Sequence, residues 1–348
     1  MIANIKNEPF LVIVSALLLL MGVVSLNSVA PQIFPQYYLY VFASIFVFVI
    51  FSQIHFDILR AFSSHLYVGS ILFLLLPLIL GQITRGTVRW IEIGNVTLQP
   101  AELTRPFLFL FIAGFLAGNG LTAKKFVKAF GLMFLPVMLI FLQPSLGVSV
   151  LTGLGFVGIF ITLPFDKRAL LLAAVFAILL MPLSWFFLAP YQKDRILAIT
   201  KPDSDPQGIG YNSIQSLITV GSGGLTGRGL GEGVQTQLMF LPERETDFIF
   251  ASISEEMGFL GSFFVVLLYM LLLYRITTIA GNAQSVVGRS FTAGVFLSLF
   301  AQIFVHLAMN MGLLPITGLP LPLVSMGGSS LLSTSVSLGM LVSIKKKR

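Results

Sequence analysis

The side chains of this chain that could do chemistry gather in three short stretches, although fourteen carboxylates and twenty-one Lys/Arg residues are spread over its 348 positions. In an apolar chain each deeply placed ionisable group is a functional candidate by default, because it must face a cavity or a partner. The first stretch is RGTVRWIEIGNVTLQPAELTRP. It places Arg85 and Arg89 in a loop, Trp90 at interface height, and Pro100 at the opening of a helix whose first turns carry Glu102 and Arg105. Those two are three apart and share a helix face. Either they form an ion pair that anchors the helix end, or an anionic ligand recruits the arginine. The second stretch is LPERETDFIFASISEEMGFLG. A helix starting near Thr246 would put Asp247 in its first turn, where the positive end of the helix dipole tolerates a carboxylate. Capping acidity accounts for Glu243 or Glu245. It does not account for Glu255 and Glu256, two turns into an apolar segment, where each buried carboxylate needs a partner. The third stretch is NMGLLPITGLPLPLVSMGGSS, running from Asn310 into Ser329 and Ser330. Its prolines and glycines break any continuous helix, and irregular backbone survives at membrane depth only inside protein or beside a water-filled cavity. This predicts a broken-helix element lining a pocket, with a tight external hairpin as the alternative.

Other chemistries find no support. There is no GKS/T phosphate loop and no HExxH, and His55, His65 and His306 are isolated, as core or interfacial histidines are. No cysteine is present, which removes disulfides and thiolate–metal sites. The net charge of +7 is scattered through loops and the terminal Lys345–Arg348 run, the pattern of an orientation signal and not of a nucleic-acid surface.

The elements that must hold these stretches are transmembrane helices. At 56% hydrophobic, 10% charged, 33 phenylalanines and a mean hydropathy of +0.94, the chain has too little polar surface to be an ordinary soluble globule. The expected fold class is an all-α polytopic membrane protein. About 20 apolar helical residues cross a hydrocarbon core of about 30 Å. Ten stretches meet that length: Phe10 to Asn27, Tyr37 to Ile54, Leu66 to Ile83, Glu102 to Gly118, Phe126 to Leu142, Ser145 to Leu163, Arg168 to Ala189, Ala251 to Tyr274, Gly288 to Leu313 and Pro322 to Ile344. The first run is longer than a signal-peptide core and is read as a retained span, despite the small residues Ser28-Val29-Ala30 that follow it. The whole chain, 1–348, reads as one transmembrane domain.

An even number of crossings puts both termini on one side. That side holds thirteen Lys/Arg residues against eight on the other, which makes it cytoplasmic. The three stretches then face outside. So does the connection between spans seven and eight, 190–250, which is far longer than ordinary helix–helix links. Its amphipathic run from Tyr211 to Val220 and its glycine cluster from Gly221 to Gly233 read as an ordered external cap or reentrant segment. No internal two-fold repeat of the transporter kind is visible.

Taken together, these stretches resemble the SEDS family (shape, elongation, division and sporulation). FLPERETDFIFASISEEMGFLG is similar to its signature around an external acidic residue, PLPLVSMGGSS to its last-helix motif, GTVRWIEIGNVTLQPAEL to its motif before the fourth span, and YNSIQSLITVGSGGLTGRGLGEG to its large external loop. The resemblance implies a membrane-bound peptidoglycan glycosyltransferase. Such an enzyme polymerises lipid II through β-1,4 bonds at the outer face of the cytoplasmic membrane, usually beside a class B penicillin-binding protein that supplies transpeptidation. The short N-terminus and the arginine of PER favour the elongation branch over the division branch. By the same resemblance the essential aspartate falls on Asp247, and the Glu and basic residue of the QP motif on Glu102 and Arg105. One departure is plain. Where the family usually has QPDLG this chain has Gln143-Pro144-Ser145-Leu146-Gly147, so a second intramembrane aspartate is missing at Ser145.

In that reaction Asp247 is the expected general base, taking the proton of the acceptor hydroxyl, a role worth about 10²–10⁴-fold in rate. The leaving pyrophosphate needs positive charge, which arginine supplies bidentately. Arg89, Arg105 and Arg195 are the candidates, with Arg244 next, and Glu102 and Ser329 complete the expected substrate-binding set. A bound Mg²⁺ or Mn²⁺ could share the task, with Glu102 and Glu255 as candidate ligands. A lipid II flippase is the alternative, but its polar path would reach the cytoplasmic half, and a non-enzymatic scaffold would not need Glu102, Asp247 and Glu255 buried.

Overall fold

A computed structural model describes residues 8–80, 89–94, 96–117, 123–163, 186, 193 and 209–345. Apolar runs, some with charges near their ends, become helices: α1 (Pro9–Val29), α2 (Phe34–Gln53), a short α3 (Phe56–Ala61), α4 (Ser63–Leu80), α5 (Pro100–Leu116), α6 (Ala123–Leu142) and α7 (Leu146–Ile161). A two-stranded antiparallel hairpin, β1 (Ile91–Ile93) and β2 (Val96–Leu98), precedes α5. After it in the chain come α8 (Ile209–Ser222), the single turn α9 (Val234–Gln237), α10 (Ile249–Asn282), α11 (Val286–Asn310) and α12 (Gly328–Val342). Nine of the ten expected spans are thus occupied by helices among the described residues. The expected span from Arg168 to Ala189 lies outside them, as do Arg85 and Arg195.

The helices pack α7 on α11, α2 on α12, α4 on α5, and α10 on both α1 and α11. Small residues let backbones approach where water gives no drive to associate. Gly158 lies against the Ala293 carbonyl between α7 and α11, and Gly339 against the Phe48 carbonyl between α12 and α2. Large apolar side chains such as Phe42, Phe46, Phe134 and Phe263 point outward, as they do toward lipid.

Two ends of the bundle can be told apart by their contacts. At one, Arg275 pairs with the buried Glu8 at 2.6 Å, Lys345 with Asp57 at 3.1 Å, and Gln284 N donates to Lys345 O. At the other, Arg244 Nε donates to Val29 O at the far end of α1.

Two expected boundaries are corrected. The last helix begins at Gly328, not Pro322, because 311–327 is an irregular segment that dips into the protein at Leu319 and 321–325. The eighth span runs from Ile249 to Asn282 instead of Ala251 to Tyr274, and it breaks at Gly258 (φ 67°, ψ −163°), a conformation open essentially to glycine alone.

Candidate active site at one end of the bundle

Asp247 does not lie in the first turn of its helix but in the turn before it. The carbonyl of Glu243 accepts from the amides of Thr246, Asp247 and Phe248 at 3.1, 3.0 and 3.2 Å, and α10 starts only at Ile249. This tight turn leaves Asp247 partly exposed while Phe248, Ile249 and Phe250 on its C-terminal side are buried. Leu241, Phe248 and Ala251 form a small apolar cluster beneath it, joined by Val220 of α8 and Ile316. The Asp247 carboxylate faces Gly318, where an added Cβ would sit 3.7 Å from Oδ2.

The irregular third stretch straps this turn to the rest of the bundle. Met326 N donates to Glu245 O at 2.9 Å, and Ser325 Oγ donates to Thr246 O at 2.8 Å. Leu321 N in turn donates to Ser325 Oγ at 2.7 Å. Backbone that has no helix to satisfy it finds side chains instead, as it must away from water. Gln302 Nε2 donates to Pro320 O at 2.8 Å, Tyr269 OH to Pro322 O, and His306 Nδ1 bonds Leu319 O at 2.7 Å. The expectation of a broken element inside protein fits this arrangement. His306 is a core histidine whose Nδ1 serves this segment, while its buried Nε2 meets no hydrogen-bond partner.

The first stretch meets the same segment from the other side. Ser329 Oγ accepts from Gln99 N at 2.7 Å, at the start of α5, and Ser333 Oγ donates to Glu102 O at 2.6 Å. Gln99 Nε2 donates to Ser145 Oγ at 3.1 Å, so Ser145 joins this network as a neutral acceptor. Glu102 and Arg105 are both buried. They do not close into a direct ion pair. Arg105 Nη1 instead reaches Ser298 Oγ at 3.4 Å, beside a small cavity lined also by Ser333, Thr334 and Ser337. Arg105 and Arg89 both lie within electrostatic reach of Glu102. The Arg89 guanidinium stands 5.9 Å from the centre of the Trp90 ring, a cation–π distance.

Several expected site residues hold the frame. Ser329 is buried and spends its oxygen on the α5 entry. Arg244, expected among the pyrophosphate ligands, is 7% exposed and pins the Asp247 segment to the end of α1 through Val29 O at 3.1 Å. Glu255 accepts from Gln235 N, Thr236 N and Thr236 Oγ1 at 2.9, 3.0 and 2.6 Å, which caps α9 from outside. Glu256 accepts from Gly231 N and Gln237 Nε2 at 3.2 and 3.1 Å. The partners these two carboxylates required are therefore the glycine loop and α9.

The residue that sequence reasoning missed is Asn310, fully buried at the end of α11. Its side chain bridges Asp247 O, His306 O and Ala251 N, and its carbonyl accepts from Ser216 Oγ of α8 at 2.8 Å. The signal was present: Gln302, His306 and Asn310 recur every four residues on one face of an otherwise apolar helix.

A family model described as cell cycle protein, covering FtsW, RodA and SpoVE, matches residues 3–348. The chain belongs to this family, SEDS. Among its SEDS relatives is the peptidoglycan glycosyltransferase MrdB of Escherichia coli K12, 38% identical over 87% of this chain and 82% of the relative. Stage V sporulation protein E of Bacillus subtilis is 35% identical over 98% of both chains. A chain in the structure titled as structural coordination of polymerization and crosslinking by a peptidoglycan synthase complex matches with a TM-score of 0.82 at 29% identity, over 95% of each chain. The crystal structure of Thermus thermophilus rod shape determining protein RodA matches with a TM-score of 0.71 at 28% identity, over 96% of this chain and 94% of that one.

Among the described residues no three His, Asp or Glu side chains come together, and Glu255 has committed both oxygens to amide and hydroxyl donors. Glu255 therefore does not fit the role of metal ligand. Glu102 remains the one carboxylate of the expected pair whose side chain lies beside arginines.

Proposed function

We propose that this chain is a peptidoglycan glycosyltransferase that polymerises lipid II into β-1,4 glycan strands during cell elongation, with Asp247 as general base. The observation that carries the reading is the placement of Asp247. It is a partly exposed carboxylate on a turn that hydrogen bonds from Ser325, Met326 and Asn310 hold in place, facing the open flank of Gly318. A base held in this way can take the proton of the acceptor 4-hydroxyl as it attacks the anomeric carbon of the donor. The bond that breaks joins that carbon to the lipid pyrophosphate, which leaves with the charge. Arg89 and Arg105, gathered about Glu102, supply positive potential for it. Arg195 remains a candidate beside them. A Mg²⁺ or Mn²⁺ held largely by the pyrophosphate oxygens would add charge neutralisation, with Glu102 its nearest protein partner in kind. No step requires it.

The site is assigned to the outer face of the bacterial cytoplasmic membrane, with both termini cytoplasmic. The Lys/Arg excess supports this, because Arg275 and Lys345, which belong to the Lys/Arg-richer side, lie at the end opposite Asp247. A class B penicillin-binding protein is the expected partner, in keeping with the synthase complex whose polymerase chain this one resembles.

Asp247→Asn tests the reading. The variant should insert and fold as the parent does yet make no glycan polymer from purified lipid II. Polymerisation at the parental rate would refute the general-base assignment.

A further inference from the structure

The connection that carries α9 leaves large apolar side chains uncovered by the bundle. Leu225, Leu230, Leu238 and Met239 are 73, 52, 63 and 64% exposed. On α9, Val234 shares the outward face with Leu238, four residues on, while Thr236 on the opposite face is buried against Glu255. Met239 holds a left-handed φ of 60°, which is strained for a residue with a side chain. Soluble surfaces do not present apolar groups this densely without a binding purpose.

Two observations say what covers them. The first is continuity with the lipid-facing side of α10. At the Gly258 break, Phe259 N and Leu260 N donate to the carbonyls of Gly224 and Leu225 at 2.9 and 3.1 Å. Phe259 and Leu260 are 59 and 60% exposed and open an apolar stripe that continues through Phe263 and Phe264. Leu225 thus emerges beside the first turn of that stripe. The second observation is depth. Helix α1 has 21 residues, about 31 Å of rise, which matches one hydrocarbon core. Its ends are marked by Glu8 against Arg275 and by Val29 against Arg244. Gly258 lies seventeen residues before Arg275, about 26 Å of helix, and therefore within about one turn of the Val29 level. Gln237 Nε2 donates to Ser28 O at 3.0 Å, which ties α9 to that same level.

We propose that residues 225–239 form an interfacial wedge whose apolar face, Leu225, Leu230, Val234, Leu238 and Met239, is immersed in bilayer hydrocarbon on the Asp247 side. Arg228 and Glu232, both exposed, stand at headgroup height. The wedge anchors the connection to the membrane directly, independently of any partner protein and of the reaction assigned to Asp247.

The absence of cysteine makes the test direct. Single variants Leu225→Cys and Leu238→Cys are spin-labelled in the full chain, purified without partners into nanodiscs of phosphatidylethanolamine and phosphatidylglycerol. Phe263→Cys serves as the lipid-facing control and Glu232→Cys as the polar one. Collision rates with oxygen and with a water-soluble nickel chelate are measured. Both wedge labels should follow Phe263→Cys, with oxygen access exceeding chelate access several-fold. A wedge label that follows Glu232→Cys, or that is shielded from both reagents as inside protein, overturns the proposal. Size-exclusion profiles matching the parent confirm that each variant is folded before the reading is taken.

Discussion

Asn310 holds Asp247 by its main chain: the Asn310 side-chain amide donates to Asp247 O at 2.9 Å while its oxygen accepts from Ala251 N at 3.0 Å. One side chain therefore fixes the residues on both sides of the α10 start. Asn310→Ala leaves the buried Ala251 amide, the buried His306 carbonyl and the part-buried Asp247 carbonyl each short of a partner, which costs about 1–3 kcal/mol where water cannot enter. A small displacement of the carboxylate should lower kcat by about 10²-fold. KM for lipid II should change much less, and steady-state polymerisation kinetics separate the two.

Gly318 offers the complementary experiment. Its φ of 70° disfavours any side chain, and an added Cβ would lie 3.7 Å from Asp247 Oδ2. Gly318→Ala should lower stability by about 1–2 kcal/mol through backbone strain. A bulkier Gly318→Val should also crowd the approach to the carboxylate and abolish polymerisation. Thermal melts alongside activity assays distinguish the two effects, since the alanine variant should retain measurable activity below its melting point.

Glu255 should behave as a structural acceptor. Glu255→Gln turns an amide nitrogen toward one of the two donors, Gln235 N or Thr236 N, which face different oxygens, and should destabilise the loop by about 1–3 kcal/mol. Limited proteolysis should then cut within 223–240 faster than in the parent. The divalent-cation dependence of polymerisation should not move. A changed cation requirement would return Glu255 to the metal-binding candidates.

Gly258→Ala should be the most damaging single substitution along α10. The residue combines φ 67° and ψ −163° with contacts to Gly227 N and Leu225 O. Strain alone costs about 1–3 kcal/mol. Membrane yield and melting temperature should both fall, while Gly281→Ala, which meets open space at the far end of the same helix, should be neutral or slightly stabilising.

The bundle was legible in the sequence because a run of apolar residues long enough to cross hydrocarbon leaves few alternatives to a helix. The last span shows where that logic stops. Leu321, Leu323 and Val324 are as apolar as helix residues, yet they lie in irregular backbone whose carbonyls are satisfied by Gln302, Tyr269 and His306. Composition cannot separate a buried loop from a buried helix. The three reactive stretches were also visible, and they converge through Ser325, Met326 and Ser329. Which groups satisfy Glu255 was not visible, since its partners lie about twenty positions upstream in a loop of unpredictable path. Arg244 was read as ligand-facing from its charge, and Ser329 from its place in the third stretch. In the structure both are buried, Ser329 bonded to Gln99 N and Arg244 to Val29 O.

The break in α10 gives up two helical hydrogen bonds and regains four, because Arg228 N and Gly229 N cap the carbonyls of Glu255 and Glu256 while Gly224 O and Leu225 O take the freed amides. Peeling the glycine segment away would leave all of these groups without their partners. Helix and loop consequently travel as a single rigid piece. Any motion that accompanies a reaction at this end of the bundle is then to be sought at the borders of that piece and not within it.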